Sequence, residues 1–168
     1  MRVATWLCCG LLTACTATAP SPIAEPSRPP DLTLEEQAIQ EAVFRHQFTE
    51  SGEQMGHSLD FIFLKYEDGS DVPAEFLARF RDCKVPVAPA SMSTVIWEDG
   101  HIDEVRHREK PGRGRRFWVG KPRRIADDTF EVDGGYYQGR LAASGHVYRV
   151  ERRDNAWRVV DDVMKWIS

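Results

Sequence analysis

The sequence predicts an α+β domain in which an N-terminal helix packs on a curved, mostly antiparallel β-sheet. Two observations carry this. Apolar residues recur at helical spacing over residues 33–49, and alternating apolar strands crowd the stretch from 115 to the C-terminus. A sheet with one apolar face must be covered, and the long helix is the element able to cover it.

The elements follow in order. Thr33-Leu34-Glu35-Glu36 has the form of a capping box. Leu34, Ala38, Ile39, Ala42 and Val43 then share a helical face, and Phe44 and Phe48 lie four apart. Ser51-Gly52 is expected to end the helix. Asp60 to Tyr66 reads as a buried or half-buried strand, followed by a turn at Glu67-Asp68-Gly69-Ser70. Pro73 opens a short helix reaching Phe80. Pro86 and Pro89 break the chain. Thr94 to Trp97 forms a short strand, closed by a turn at Asp99-Gly100.

From residue 115 the pattern is β. Phe117 and Val119 alternate, and Pro122 marks a strand end or edge. Phe130 and Val132 alternate with polar neighbours, with a bulge expected at Gly134-Gly135. His146 to Arg152 is a further strand, joined by a tight Asp154-Asn155 hairpin to the last one. Trp157 and Val159 there have one phase and Met164 and Trp166 the other, so a bulge is expected near Asp161-Asp162. Trp157 and Trp166 are expected to anchor the core.

The chain has 168 residues, 42% hydrophobic and 29% charged. That composition excludes a wholly disordered chain, a collagen repeat and a multi-span membrane protein, and the length suits one domain. A formal net charge of −4 gives no global basic field, so nucleic acid is not an expected partner. A monomer is expected.

The first residues read as an address. Arg2 precedes a short apolar run, Val3 to Leu12, too short to span a bilayer, in the manner of a secretory signal peptide. Leu12-Thr13-Ala14-Cys15 resembles the lipobox of bacterial lipoproteins. The resemblance implies cleavage after residue 14, diacylglycerol on the Cys15 thiol and an acylated new N-terminus. Multiple acyl chains anchor stably where one is marginal. The expected organisation is therefore a signal peptide over 1–14, a lipidated Cys15 with a proline-rich tether over 15–31, and one domain over 32–168. Thr16, rather than Asp, after the cysteine leans towards the outer membrane, facing the periplasm, in a diderm cell. Among the other cysteines, Cys8 and Cys9 leave with the signal, and Cys83 reads as a small buried hydrophobe.

The domain's element order resembles the cystatin-like and NTF2-like group of folds. Residues 128–168, with Gly134-Gly135-Tyr136-Tyr137, Ala143-Ser144-Gly145, Tyr148, Trp157 and Met164-Lys165-Trp166-Ile167-Ser168, also resemble the C-terminal part of small bacterial proteins of uncharacterised role. The resemblance implies a fold and no catalytic residues.

Candidate chemistry is sparse. None of the five histidines sits in a metal-binding motif, and there is no nucleotide or nucleophile-elbow signature. No metal or cofactor is expected. His46 lies on the apolar helix face, either as a general base lining a cone between helix and sheet or as a hydrogen-bonded histidine at the core edge. His101, Asp103 and His107 are spaced as metal ligands but fall in a charged segment read as a loop. Tyr136, Tyr137 and Tyr148, with Asp133 nearby, read either as pocket aromatics or as strand packing. Residues 106–124 hold nine Lys or Arg against one acid. Arg113, Arg115, Arg116, Lys121, Arg123 and Arg124 there are either a solvated edge or an anion-facing patch for a polyanion or acidic protein partner.

Three functions fit: a non-enzymatic envelope lipoprotein that binds a partner or small ligand; a small pocket enzyme of the NTF2-like type using acid–base residues; and an inhibitor or immunity-like module. An open cone with converging ionisable groups, His46 among them, favours the enzyme. A cone filled by aromatic rings favours binding by outer surfaces.

Overall fold

Residues 32–55, 59–96 and 103–168 are described by the computed structural model. The residues read as a signal segment, a lipidated Cys15 and a tether, together with His57, Trp97, the turn expected at Asp99-Gly100 and His101, lie outside the described residues.

Helix α1 (Leu34–Met55) starts at the predicted capping box. The Thr33 backbone N–H donates to Glu36 Oε2 at 2.8 Å, and the Glu36 N–H donates to Thr33 Oγ1 at 3.1 Å. Two N–H groups that the helix cannot satisfy itself are thereby paired. Ile39, Val43 and Phe44 are fully buried, whereas Leu34, expected on the same face, is exposed in the first turn. The helix does not stop at Ser51-Gly52 but continues to Met55. An interior glycine costs about 1 kcal/mol relative to alanine, which a helix held by its packing tolerates.

Strand β1 (Phe61–Tyr66) has parallel neighbours on both sides, β2 (Val87–Pro89) and β5 (Gly114–Val119). Its nearly unbroken apolar run suits burial on both faces. Ile62, Leu64 and Tyr66 join the main core, while Phe61 and Phe63 pack on His107 behind the sheet. Pro86 and Pro89, read as chain breaks, instead bracket the edge strand β2, where proline's missing N–H is harmless because one side of the strand has no neighbour. Helix α2 (Ala74–Leu77) follows Pro73 and runs into a 3₁₀ turn over Ala78–Phe80. Phe76 and Phe80 meet Phe44 edge-on at 6.1 Å each. Arg45 locks this unit to α1, donating to Glu41, to Asp82 and to the Arg79 carbonyl. Cys83 is half-buried against this cluster, and burial pushes its thiol above the usual range.

Strands β3 (Ser93–Ile96) and β4 (Glu104–His107) form a separate antiparallel pair. The segment read as a loop around His107 is thus a strand.

The principal sheet is mixed, in the order β2-β1-β5-β7-β8-β9, and antiparallel from β5 onward. Strand β6 (Arg123–Ala126) pairs with the first half of β7 (Thr129–Gly139), and β5 pairs with the second. Pro122 falls in the break between β5 and β6, at a strand end as predicted. Gly134-Gly135 is not a bulge, since pairing to β8 (Ala142–Arg153) is continuous through both; the irregularity lies at Gln138. The glycines permit close approach instead. A Cβ on Gly134 would meet Gln47 and Tyr148 at 2.9 Å.

The hairpin to β9 (Ala156–Ile167) turns at Asp154 and Asn155, both at positive φ (50° and 60°), as a type I′ turn requires. The predicted bulge in β9 falls at Val160, and a second at Lys165. Trp157 packs edge-on against Phe130 at 5.3 Å and joins the core. Trp166 does not anchor it: the second bulge carries its ring over Gly145, where it stays 49% exposed.

Candidate functional site

Alternation along β8 gives one face to Ser144, His146 and Tyr148. The same face continues across the register into Tyr136, opposite Ser144, and Gly134, opposite His146. Lacking a side chain, Gly134 leaves room for the Gln47 amide, which reaches the Trp118 carbonyl at 3.3 Å and the Tyr148 hydroxyl at 3.3 Å. The C-terminal half of α1 supplies His46, Gln47 and Glu50 from above. Between them lies a cavity of about 100 Å³, closed on one side by Arg115 and Tyr136 and on the other by Asp162, Met164 and Ile167. A single water needs roughly 10–15 Å³ on the same measure, so several waters or a small molecule fit.

The bulge at Val160 decides what β9 contributes. Val159 faces Val150, and after one extra residue Asp161 faces Arg149 on the opposite side of the sheet. Asp162 therefore turns towards α1, beside Tyr148. Its Oδ1 lies 2.5 Å from His146 Nδ1, and His146 Nε2 lies 2.8 Å from Ser144 Oγ. Asp162 Oδ2 lies 3.4 Å from His46 Nε2, so one carboxylate bridges two imidazoles.

These contacts fix the His146 tautomer. A carboxylate only accepts, so Nδ1 carries the proton and donates to Asp162. In the neutral ring Nε2 is then the acceptor for the Ser144 hydroxyl. Tyr148 stacks on His146 with an interplanar angle of 6°, and His46 meets Tyr148 edge-on at 5.7 Å. Burial pushes the Tyr148 phenol well above its usual range, and the nearby Asp162 and Glu50 charges add to this against the Gln47 hydrogen bond. The phenol therefore stays neutral through any physiological pH.

His46, Tyr136 and Tyr148 from the sequence reading are brought together at this cavity. Tyr137 and Asp133 are not. They lie on the opposite face of β7, where Asp133 faces Arg123 at 4.0 Å, because strand neighbours point to opposite sides. His107 is not placed as a ligand. Its ring is buried against Phe61 and Phe63, and Nδ1 accepts the Glu109 N–H at 3.1 Å. Asp103 is buried as well. Among the described residues, no group of three His, Cys, Asp or Glu is arranged to hold a metal.

The basic segment does not present one face. Arg115 is 1% exposed and sits inward, over the Tyr136 ring at 4.6 Å, with Gln138 Oε1 accepting from its Nε at 3.0 Å. It cannot belong to an outer anion patch, and burial lowers its pKa. Arg116 points the other way and donates to Ser93 Oγ at 2.6 Å. Arg113 pairs with Glu104, Lys121 with Glu36, Arg123 with Glu131 and Arg124 with Glu35. Each exposed cation of this set therefore faces an acid of the domain.

Sequence reasoning missed Ser144, His146 and Asp162 as a group. The Ser-x-His spacing, running into the strand expected from His146, was the available signal, since residues two apart on a strand share a face. Asp162 lay hidden behind the bulge. No protein-family model, curated protein or solved structure matches the chain. Among the described residues no helix is long and apolar enough to cross a membrane.

Proposed function

We propose that the domain is a roll of the NTF2-like type whose open end is a small acid–base pocket, making this chain a pocket enzyme rather than a module acting through its outer surfaces. The observation that carries this is His146, held between Asp162 and Ser144 inside an open cavity that also contains His46. A general base needs a fixed tautomer and a proton within about 2.6–3.2 Å. His146 has both. Packing alone does not require a histidine to be oriented by a carboxylate on one side and aimed at a hydroxyl on the other, in the wall of a cavity.

The test is histidine NMR on the full chain with a panel of small carboxylates and esters. The Nδ1–H tautomer is expected for the neutral His146 ring, and Asp162→Asn is expected to redistribute it. A member of the panel should shift the His46 and His146 resonances together. If every panel member leaves both rings unmoved, the pocket reading fails.

The Leu12-Thr13-Ala14-Cys15 motif supports the further proposal that the chain is exported and held at the bacterial envelope by lipid on Cys15. Mass spectrometry of the mature N-terminus tests it. Diacylglyceryl-cysteine is expected, and a free terminus beginning further along, or membrane association unchanged by Cys15→Ser, refutes it.

A further inference from the structure

Resting on the pocket reading, we propose that Ser144 is a nucleophile that accepts an acyl group from short-chain esters, with His146 as its base and Asp162 as the group that orients the base.

Three observations converge. The hydrogen-bond order is hydroxyl, Nε2, Nδ1, carboxylate, at 2.8 Å and 2.5 Å. This is the arrangement an otherwise unreactive hydroxyl needs to lose its proton as it attacks, and it is recognised by geometry on unrelated folds. All three residues stand on paired strands of one sheet rather than on loops, so their mutual geometry is rigid. Ser144 also forms part of the cavity wall together with Arg115, so the hydroxyl and a cation that favours developing negative charge line the same small space. The cavity volume of about 100 Å³ limits the acyl group to a short one.

The chemistry balances without a cofactor. Ser144 Oγ bonds to the ester carbonyl carbon as its proton passes to His146 Nε2, and the carbonyl π pair moves onto oxygen. Collapse restores the carbonyl and breaks the bond to the leaving oxygen, which takes the proton from His146 and departs as an alcohol. Water then attacks the acyl-Ser144 ester, giving its proton to His146. The acyl–Oγ bond breaks, the carboxylic acid leaves, and Oγ recovers the proton. The sum is ester plus water to acid plus alcohol.

The experiment uses the full chain and p-nitrophenyl acetate. Nitrophenolate release and the mass of the Ser144 peptide are followed together after rapid quench. The expected result is one acetyl group on Ser144, absent in Ser144→Ala, with acylation slowed at least about 100-fold in His146→Gln. Circular dichroism establishes that both variants are folded, and peptide mapping of the unmutated chain stands independently of either. Acetyl groups found only on lysines or histidine, or release unchanged in folded Ser144→Ala, would overturn the proposal. If Ser144 stays unmodified while small ligands still shift His46 and His146, the nucleophile inference fails and the pocket reading stands. If neither occurs, both fail.

Discussion

The indole of Trp166 rests on the backbone of Gly145, with Nε1 and Cε2 occupying the space a Cβ there would need. The two residues are cross-strand partners between β8 and β9, one position from Ser144. Gly145→Ala is therefore expected to displace the ring and cost about 1–3 kcal/mol, the usual range for overpacking. In a Trp166→Ala background the same substitution should cost less than half as much, because the obstructing atoms are gone. Urea unfolding of the four proteins of this cycle measures it, and equal costs in both backgrounds would refute the contact.

Thr33 and Glu36 give a stability effect with a definite pH sign. Partial burial alone would raise the Glu36 pKa. The hydrogen bonds from the Thr33 backbone and hydroxyl, together with Lys121, outweigh it and hold the carboxyl below its ordinary value of 4.5. A depressed carboxyl stabilises the fold above its unfolded pKa, and that contribution fades as pH falls through the folded value. Thr33→Ala should cost about 1 kcal/mol at neutral pH. The difference in melting temperature between Glu36→Gln and the parent should narrow steadily below pH 4.5. A difference that is flat or widens in acid contradicts the assignment.

Arg113 and Arg115 should respond very unequally to charge reversal although they are two residues apart. Arg113 is exposed and pairs with Glu104 at the surface, so Arg113→Glu should shift stability by no more than about 1 kcal/mol. Arg115 is buried beneath α1, and Arg115→Glu strands a carboxylate there, costing about 3–5 kcal/mol. Denaturant melts separate the two, and similar costs would mean that Arg115 faces outward.

The hairpin between β8 and β9 requires positive φ at both central residues. Asn155→Gly should be neutral or slightly stabilising. Asn155→Val, branched at Cβ, should destabilise by about 1–2 kcal/mol, close to the penalty for the left-handed region. Loss of more stability from glycine than from valine would rule out this turn type.

Much of the fold was legible because local chemistry and long-range packing agreed. Thr33 and Glu36 announced α1, Asp154-Asn155 announced the hairpin, and the change of phase between Val159 and Met164 announced a bulge. Where they disagreed, packing prevailed. Gly52 has the look of a helix stop but lies inside α1. Gly134-Gly135 looks like a bulge but marks where Gln47, Tyr148 and Trp118 press on the strand. The parallel pairing of β1 with β2 and β5 leaves no trace in local sequence beyond an unbroken apolar run, so the mixed character of the sheet was not predicted. His46, Tyr136 and Tyr148 were found because aromatic and imidazole groups on an apolar face draw attention. Ser144 and Asp162 are commonplace residues, and only the register of β8 against β9 makes them neighbours of His146. Arg115 was misread because a run of cations hides the alternation along β5 that turns Arg115 inward and Arg116 to the other face.

The tandem acids on β9 have one more consequence. Asp161 and Asp162 point to opposite sides of the sheet, and the bulging of the single surplus residue Val160 sets which of them meets His146. A chain lacking Val160 would run directly from Val159 opposite Val150 to Asp161 opposite Arg149 and keep Asp162 against the histidine, whereas one extra residue before Asp161 would advance the register and bring Asp161 to that place. Insertions and deletions at this point would thus be sorted by how Val159 and Trp157 pack on Phe130 and Val150 rather than by loss of the carboxylate. The doubled aspartate keeps a carboxylate against His146 through either change of length, at the very place where the strand is irregular.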